Sequence, residues 1–343
     1  ALINCPIANS QKRFRPLGLS LLILLVFNFY LGGKMKLLKY ALWVVLVTQH
    51  AVAMAVDGGG IVTSRFDDIQ SKVEEILQYP DGDQALFVFD IDNTVLKTET
   101  DFGSEHWFLW QKQLIENGVN SVPAITDSLE GLLKIQGWIY QISQTQAVAS
   151  QIPATIEKIR LRGANSISIT SRMLSVRDAT IAELTRNQIH LSTAPELGLS
   201  QFLQPQLAYD PANLSASGLS EADRVAYSLN NPLLAEFDRG VFFTQGQHKG
   251  VILKILLHSF RKKFKYIVFV DDRANHVSGM RSVFEHRPEI LTTFQFVKSA
   301  EWIDPFNLGD KADAQKQWCD FSKGLVASIP SSKENLFLCD KTG

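Results

Sequence analysis

Ala85-Leu86-Phe87-Val88-Phe89-Asp90-Ile91-Asp92-Asn93-Thr94 is the stretch that decides how this chain is read. Five apolar residues run without a break and stop at an aspartate. The run has strand length and no polar alternation, so it predicts a strand buried on both faces, as in a parallel sheet. Upstream, Phe66, Ile69, Val73, Ile76 and Leu77 recur at helical spacing from Arg65, and Tyr79-Pro80-Asp81-Gly82 ends that run. Downstream, Ser166–Thr170, Gly240–Thr244 and Tyr266–Asp271 repeat the strand signature. Each is followed by a helical pattern, over about 175–188, 250–260 and 274–285. Leu291–Val297 reads as a last strand. Strands alternating with helices predict an α/β fold, a Rossmann-like parallel sheet with helices on both faces.

The polar residues lie where these runs end. In an open parallel sheet, ligands bind outside the carboxyl ends of the strands. Those ends supply Asp90, Asp92, Asn93 and Thr94, then Thr170, then Asp271 and Asp272, while Lys249 opens the helix after the third strand. Several carboxylates in one cleft resist ionising together, and a divalent cation resolves the conflict. An all-oxygen donor set suits Mg²⁺. Thr170 and Lys249 are the residue types that hydrogen-bond and neutralise a phosphate. One carboxylate can attack phosphorus while a second moves the protons. Arg172 is a further candidate for phosphate binding, although an arginine beside a strand end is more often solvated. None of the seven histidines shows zinc-ligand spacing.

Phe89-Asp90-Ile91-Asp92-Asn93-Thr94-Val95 closely resembles the DxDxT motif of the haloacid dehalogenase superfamily. Thr170, Lys249 with Gly250, and Asp271-Asp272 match its second, third and fourth motifs in order, and the resemblance covers about residues 65–300. It implies that Asp90 is the nucleophile and a Mg²⁺ ligand, and that Asp92 is the general acid/base with its backbone carbonyl on the metal. It implies that Thr170 and Lys249 hold the phosphoryl group. It implies that Asp271 is the other direct metal ligand and that Asp272 orients Lys249 or a metal-bound water. Asp92 resembles the mark of the phosphatase branch, so the implied activity is phosphomonoester hydrolysis on a small phosphorylated substrate, similar to exported bacterial acid phosphatases. A phosphotransferase with the same chemistry, and a secreted binding or host-interaction protein on the same fold, are the alternatives.

The core is expected over 56–96 and 151–300, with a helical cap at 97–150 lacking strands. A loop-rich insertion is expected at 190–239 and a C-terminal extension at 301–343. The group Phe102, His106, Trp107 and Trp110 reads as cap core or as a wall over the site. Lys+Arg 34 against Asp+Glu 35 gives no basic field for nucleic acid. The first 55 residues hold six basic residues and no acid, leaving 28 against 35 for the body, a net of −7. Read from Met35, Lys36 and Lys39 precede the apolar run Tyr40–Val47 and the small-x-small sites Ala51-Val52-Ala53 and Ala53-Met54-Ala55. That pattern predicts an export signal and a periplasmic or secreted protein without stable membrane association after cleavage. An inner-membrane anchor through residues 17–47 is the other reading. Cys319 and Cys339 could pair in an oxidising compartment. No feature of the sequence specifies an oligomeric state.

Overall fold

The computed structural model describes residues 55–57, 60–118, 124–286 and 291–328. The expected targeting segment, its cleavage sites up to Met54, Cys5 and Cys339 lie outside these residues. Cys319 is disulfide-bonded. Among the described residues no helix is long and apolar enough to cross a membrane.

Strands β1 (Ala55–Asp57) and β2 (Gly60–Thr63) lead into helix α1 (Phe66–Leu77). The five apolar residues that set its spacing are all buried. Strand β3 (Ala85–Phe89) is buried at every position, as its unbroken apolar run requires. An insert follows: β4 (Leu96–Thr98), α2 (Glu105–Asn117), α3 (Leu129–Ile142) and β5 (Thr145–Ala147). The chain then forms α4 (Ile152–Leu161), β6 (Asn165–Thr170), α5 (Arg177–Arg186), α6 (Ala194–Leu197), β7 (Gln206–Leu207), α7 (Glu221–Tyr227) and β8 (Leu234–Asp238). It continues with β9 (Val241–Phe243), α8 (Lys249–Ser259), β10 (Tyr266–Asp271), α9 (Ala274–Val283) and β11 (Leu291–Phe296). Helices α10 (Ala300–Leu308) and α11 (Ala312–Ser328) end the described chain.

The main sheet has nine strands in the order β1-β2-β11-β10-β3-β6-β9-β8-β7. The six strands from β2 to β9 in that order run parallel, and β1, β8 and β7 add antiparallel edges. Period-two geometry sorts the side chains. Phe87, Phe89, Val268 and Val270 pack with α1, α4 and α5 on one face. Leu86, Val88, Ile167, Ile169, Ile267 and Phe269 pack with α8 and α9 on the other. Each fully buried phenylalanine here contributes about 2–3 kcal/mol of apolar burial. The protein is thus an α/β, Rossmann-like fold.

Two readings need correction. The insert has strands: β4 and β5 pair antiparallel and tie its two ends together. Three-residue strands carry too little alternation to be seen in sequence. The 190–239 stretch is loop-rich with short helices, but it also holds β8, which pairs with β9 through the two-residue turn Arg239-Gly240. Both turn residues have positive φ, 44° and 88°, as such a hairpin requires. A Cβ on Gly240 would sit 2.2 Å from Cβ of Leu191.

The C-terminal extension has a definite place. Phe306 of α10 and Ala314 and Trp318 of α11 join Trp107, Leu132, Ile135 and Ile139 in one buried cluster. The insert therefore does not form its core alone. His106 packs edge-on against Phe306, and Phe102 against Trp107. The aromatic group of the insert is mostly core.

Candidate active site

Topology decides where the polar residues meet. From β3 the chain builds outward through β6 and β9, then crosses back to place β10 on the other side of β3 and β11 beyond it. The direction reverses between β3 and β10, which opens a crevice at their carboxyl ends. Phe89 pairs with Val270, and the Asp90 N–H donates to the Val270 carbonyl at 2.9 Å. Asp90 and Asp271 are therefore neighbours across adjacent strands. Asn93 has φ of 59°, a left-handed conformation that asparagine tolerates. This turns the chain sharply after Asp92, and the Asn93 N–H donates to Leu96 O at 2.8 Å. The Thr94 hydroxyl oxygen accepts the Asp272 N–H at 3.0 Å and ties the two acidic turns together.

Lys249 stands at the first position of α8, with His248 before it accepting the Val251 N–H. Its Nζ lies 2.5 Å from Asp90 Oδ1 and 2.7 Å from Asp271 Oδ2. All three side chains are buried. Burial works against the Lys249 charge, but Asp271 and Asp90 outweigh it and hold its pKa above the usual lysine range. Burial likewise works against Asp271, but Lys249 and His276 hold its carboxyl below the usual range. Burial pushes the Asp90 carboxyl up to about 6; Lys249 opposes this, while the charges of Asp271 and Asp92 add to it.

The two aspartates of the last motif stand in different surroundings. Both oxygens of Asp271 are hydrogen-bonded. Oδ1 accepts the Arg273 N–H at 2.9 Å, Oδ2 accepts from Lys249, and His276 Nδ1 lies 3.1 Å from each. Asp271 thus orients Lys249. Asp272 Oδ1 is buried and has no hydrogen-bond partner among the described residues. Burial, then the charges of Glu105, Asp90 and Asp271, push its carboxyl up to about 10 against the pull of Lys249. Asp90, Asp271 and Asp272 each offer a carboxylate oxygen, all within 4.8 Å of one another. An orphaned carboxylate oxygen facing a carboxylate cluster is the donor that a hard cation satisfies. These three carboxylates fit a divalent ion, and the free oxygen of Asp272 is the donor that no group among the described residues serves. The contact implied for Asp92 is through its backbone carbonyl, because its carboxylate is used elsewhere.

That carboxylate is held by Arg172. Nε and NH2 of Arg172 donate to the two Asp92 oxygens at 3.0 and 2.9 Å. NH1 donates to Thr180 Oγ1 at 2.9 Å and to Glu183 Oε2 at 2.8 Å. The Tyr140 ring of α3 covers the guanidinium at 4.3 Å. Arg172 is buried rather than solvated, and its fork is filled by protein groups, so it is not placed to bind phosphate. Thr170 ends β6, and its hydroxyl oxygen accepts the Arg172 N–H at 3.2 Å. Its own O–H is the donor the resemblance assigns to phosphate.

Sequence reading missed three residues here. Glu105, in the first turn of α2, accepts from Asn93 Nδ2 at 2.9 Å and from Arg273 NH1 at 3.0 Å. Burial and the charges of Asp92 and Asp90 push its carboxyl up to about 7, against Arg273 and Asn93. Trp302 of α10 donates from Nε1 to Asn93 Oδ1 at 3.0 Å. Tyr140 is the third; burial, with the Asp92 charge adding, raises its phenol pKa. Glu105 follows the N-cap Ser104 and reads as an ordinary helix-start acid, which masks it.

Fold and site together define an α/β protein with a lysine-bridged carboxylate cluster at the switch point of a parallel sheet. The chain belongs to the DUF2608 family, described as a protein of unknown function, whose sequence profile matches residues 62–329. The match takes in the insert, helices α10 and α11, and the sheet apart from β1 and the start of β2. A comparison with curated proteins finds no match.

Proposed function

We propose that this protein is a Mg²⁺-dependent phosphomonoester hydrolase of the haloacid dehalogenase type, working through an aspartyl-phosphate on Asp90. The observation that carries the reading is the Lys249 ammonium shared by Asp90 and Asp271 beside the orphaned oxygen of Asp272. The strand order supports it, with β3 central and the residues of the four motifs at neighbouring strand ends and the start of α8.

Asp90 attacks phosphorus: its carboxylate oxygen bonds to phosphorus as the ester P–O bond breaks. Lys249, fixed by Asp271, neutralises the nucleophile's surroundings and the phosphoryl oxygens. Thr170 donates a hydrogen bond to the phosphoryl group. Asp92 gives its proton to the departing alkoxide, then takes one from the water that splits the Asp90–phosphorus bond. Asp90, Asp271 and Asp272 would hold Mg²⁺, which when bound offsets the negative charge that otherwise repels a phosphate dianion. Export is proposed on the 35–55 pattern.

The test is hydrolysis of p-nitrophenyl phosphate by purified protein with and without Mg²⁺. Asp90→Asn should fall to background while its circular dichroism matches the parent. An Asp90→Asn protein with full Mg²⁺-dependent activity removes the assignment.

A further inference from the structure

The clamp on Asp92 has a second layer. Arg172 is anchored behind by Glu183, whose side chain is 1% exposed, and by Thr180, which donates its own hydroxyl to Val176 O at 2.8 Å and so must accept from Arg172. Four N–H···O contacts of 2.8–3.0 Å leave the guanidinium one orientation, and Tyr140 closes its face. Glu183 belongs to α5, which is part of the core, whereas Tyr140 belongs to the insert. Glu183 and Arg172 are thus a rigid arm that ends on both oxygens of Asp92.

We infer that Glu183 and Arg172 are positioning residues that fix the Asp92 carboxyl for proton transfer to the leaving group, and that Arg172 makes no contact with the substrate phosphate. This rests on the hydrolase reading above. The arm does its work in the first half of the reaction. As the Asp90 oxygen bonds to phosphorus and the ester P–O bond breaks, the leaving oxygen receives a proton carried on the lone pair of an Asp92 oxygen that Arg172 does not use, and the guanidinium stabilises the carboxylate that this transfer leaves behind. An alkoxide needs that proton far more than nitrophenolate, which leaves readily as the anion. Loss of the arm therefore discriminates between leaving groups, while a general loosening of the fold lowers both rates alike.

The experiment measures kcat/KM of the full chain with Mg²⁺ on n-butyl phosphate and on p-nitrophenyl phosphate, together with the inhibition constant of inorganic phosphate. The variants are Arg172→Lys, which keeps the charge but has no fork, and Glu183→Gln, which keeps an acceptor for Arg172 and is nearly isosteric. For Arg172→Lys the expected loss is about 100-fold on the butyl ester and under about fivefold on the nitrophenyl ester, within the range of general acid catalysis. Glu183→Gln should lose less, in the same pattern. The phosphate inhibition constant should stay within about twofold of the parent for both. Equal losses on the two esters overturn the arm. A phosphate inhibition constant that rises about tenfold or more in Arg172→Lys also overturns it, because Arg172 then binds phosphate. If Arg172→Lys does not fold, Glu183→Gln alone decides between these outcomes. A parent protein inactive on both esters overturns the hydrolase reading and the arm with it, whereas an active parent with equal losses overturns the arm alone.

Discussion

Asp271 and Asp272 are adjacent in sequence and differ in surroundings: the first is hydrogen-bonded at both oxygens and the second has an oxygen with no partner among the described residues. Asp271→Asn leaves the buried Lys249 short of a charge partner. It should cost about 3 kcal/mol in urea unfolding, in keeping with a broken buried ion pair. Asp272→Asn removes a carboxyl that burial disfavours, so it should leave metal-free stability unchanged or improved. It should also raise the Mg²⁺ concentration for half-maximal activity at least about tenfold, the scale on which metal-site changes weaken binding. The reverse pattern would favour the assignment that the resemblance implies. Asp90, Asp92, Thr170, Lys249 and both of these aspartates were legible because each stands at a strand end or helix start. Their different surroundings were not, because adjacent aspartates differ only in which way the turn after β10 aims them. Glu105, Tyr140 and Glu183 sit on helices whose approach to the site is a tertiary fact without a local signature.

The elements were legible where periodicity is long. Helix α1 and strands β3, β6 and β10 follow their apolar patterns almost to the residue. The β4–β5 ribbon and β8 were not, being short and governed by pairing partners. The packing of α10 and α11 on the insert is likewise beyond sequence, since an apolar helix face does not name what covers it. Trp318, 4% exposed in the cluster with Trp107 and Leu132, tests that packing. Trp318→Ala should destabilise the protein by about 3–5 kcal/mol, as large aromatic truncations do. The loss should show first as proteolysis between α2 and α3. Protection there equal to the parent's would mean that α11 does not support the insert.

For the whole molecule, the acidic crevice sets a pH dependence. Without metal, burial raises Asp90 to about 6, Glu105 to about 7 and Asp272 to about 10. A carboxyl raised on folding contributes stability below its ordinary pKa of about 4, and that stability is lost as pH rises through the folded value. The metal-free protein should therefore melt at falling temperatures from pH 5 to pH 9. Saturating Mg²⁺ should flatten the decline, because bound cation replaces the proton. Near pH 8, with Asp90 ionised and Asp272 still protonated, calorimetry in buffers of different ionisation enthalpy should find about one proton released per ion bound. A melting temperature that rises with pH in chelator would contradict the buried cluster. The Tyr140 ring over Arg172 links the insert to the core at the cation that holds both oxygens of Asp92. Any displacement of the insert would draw that ring off Arg172, so the seating of the insert on the sheet and the setting of the Asp92 side chain are coupled through one aromatic contact.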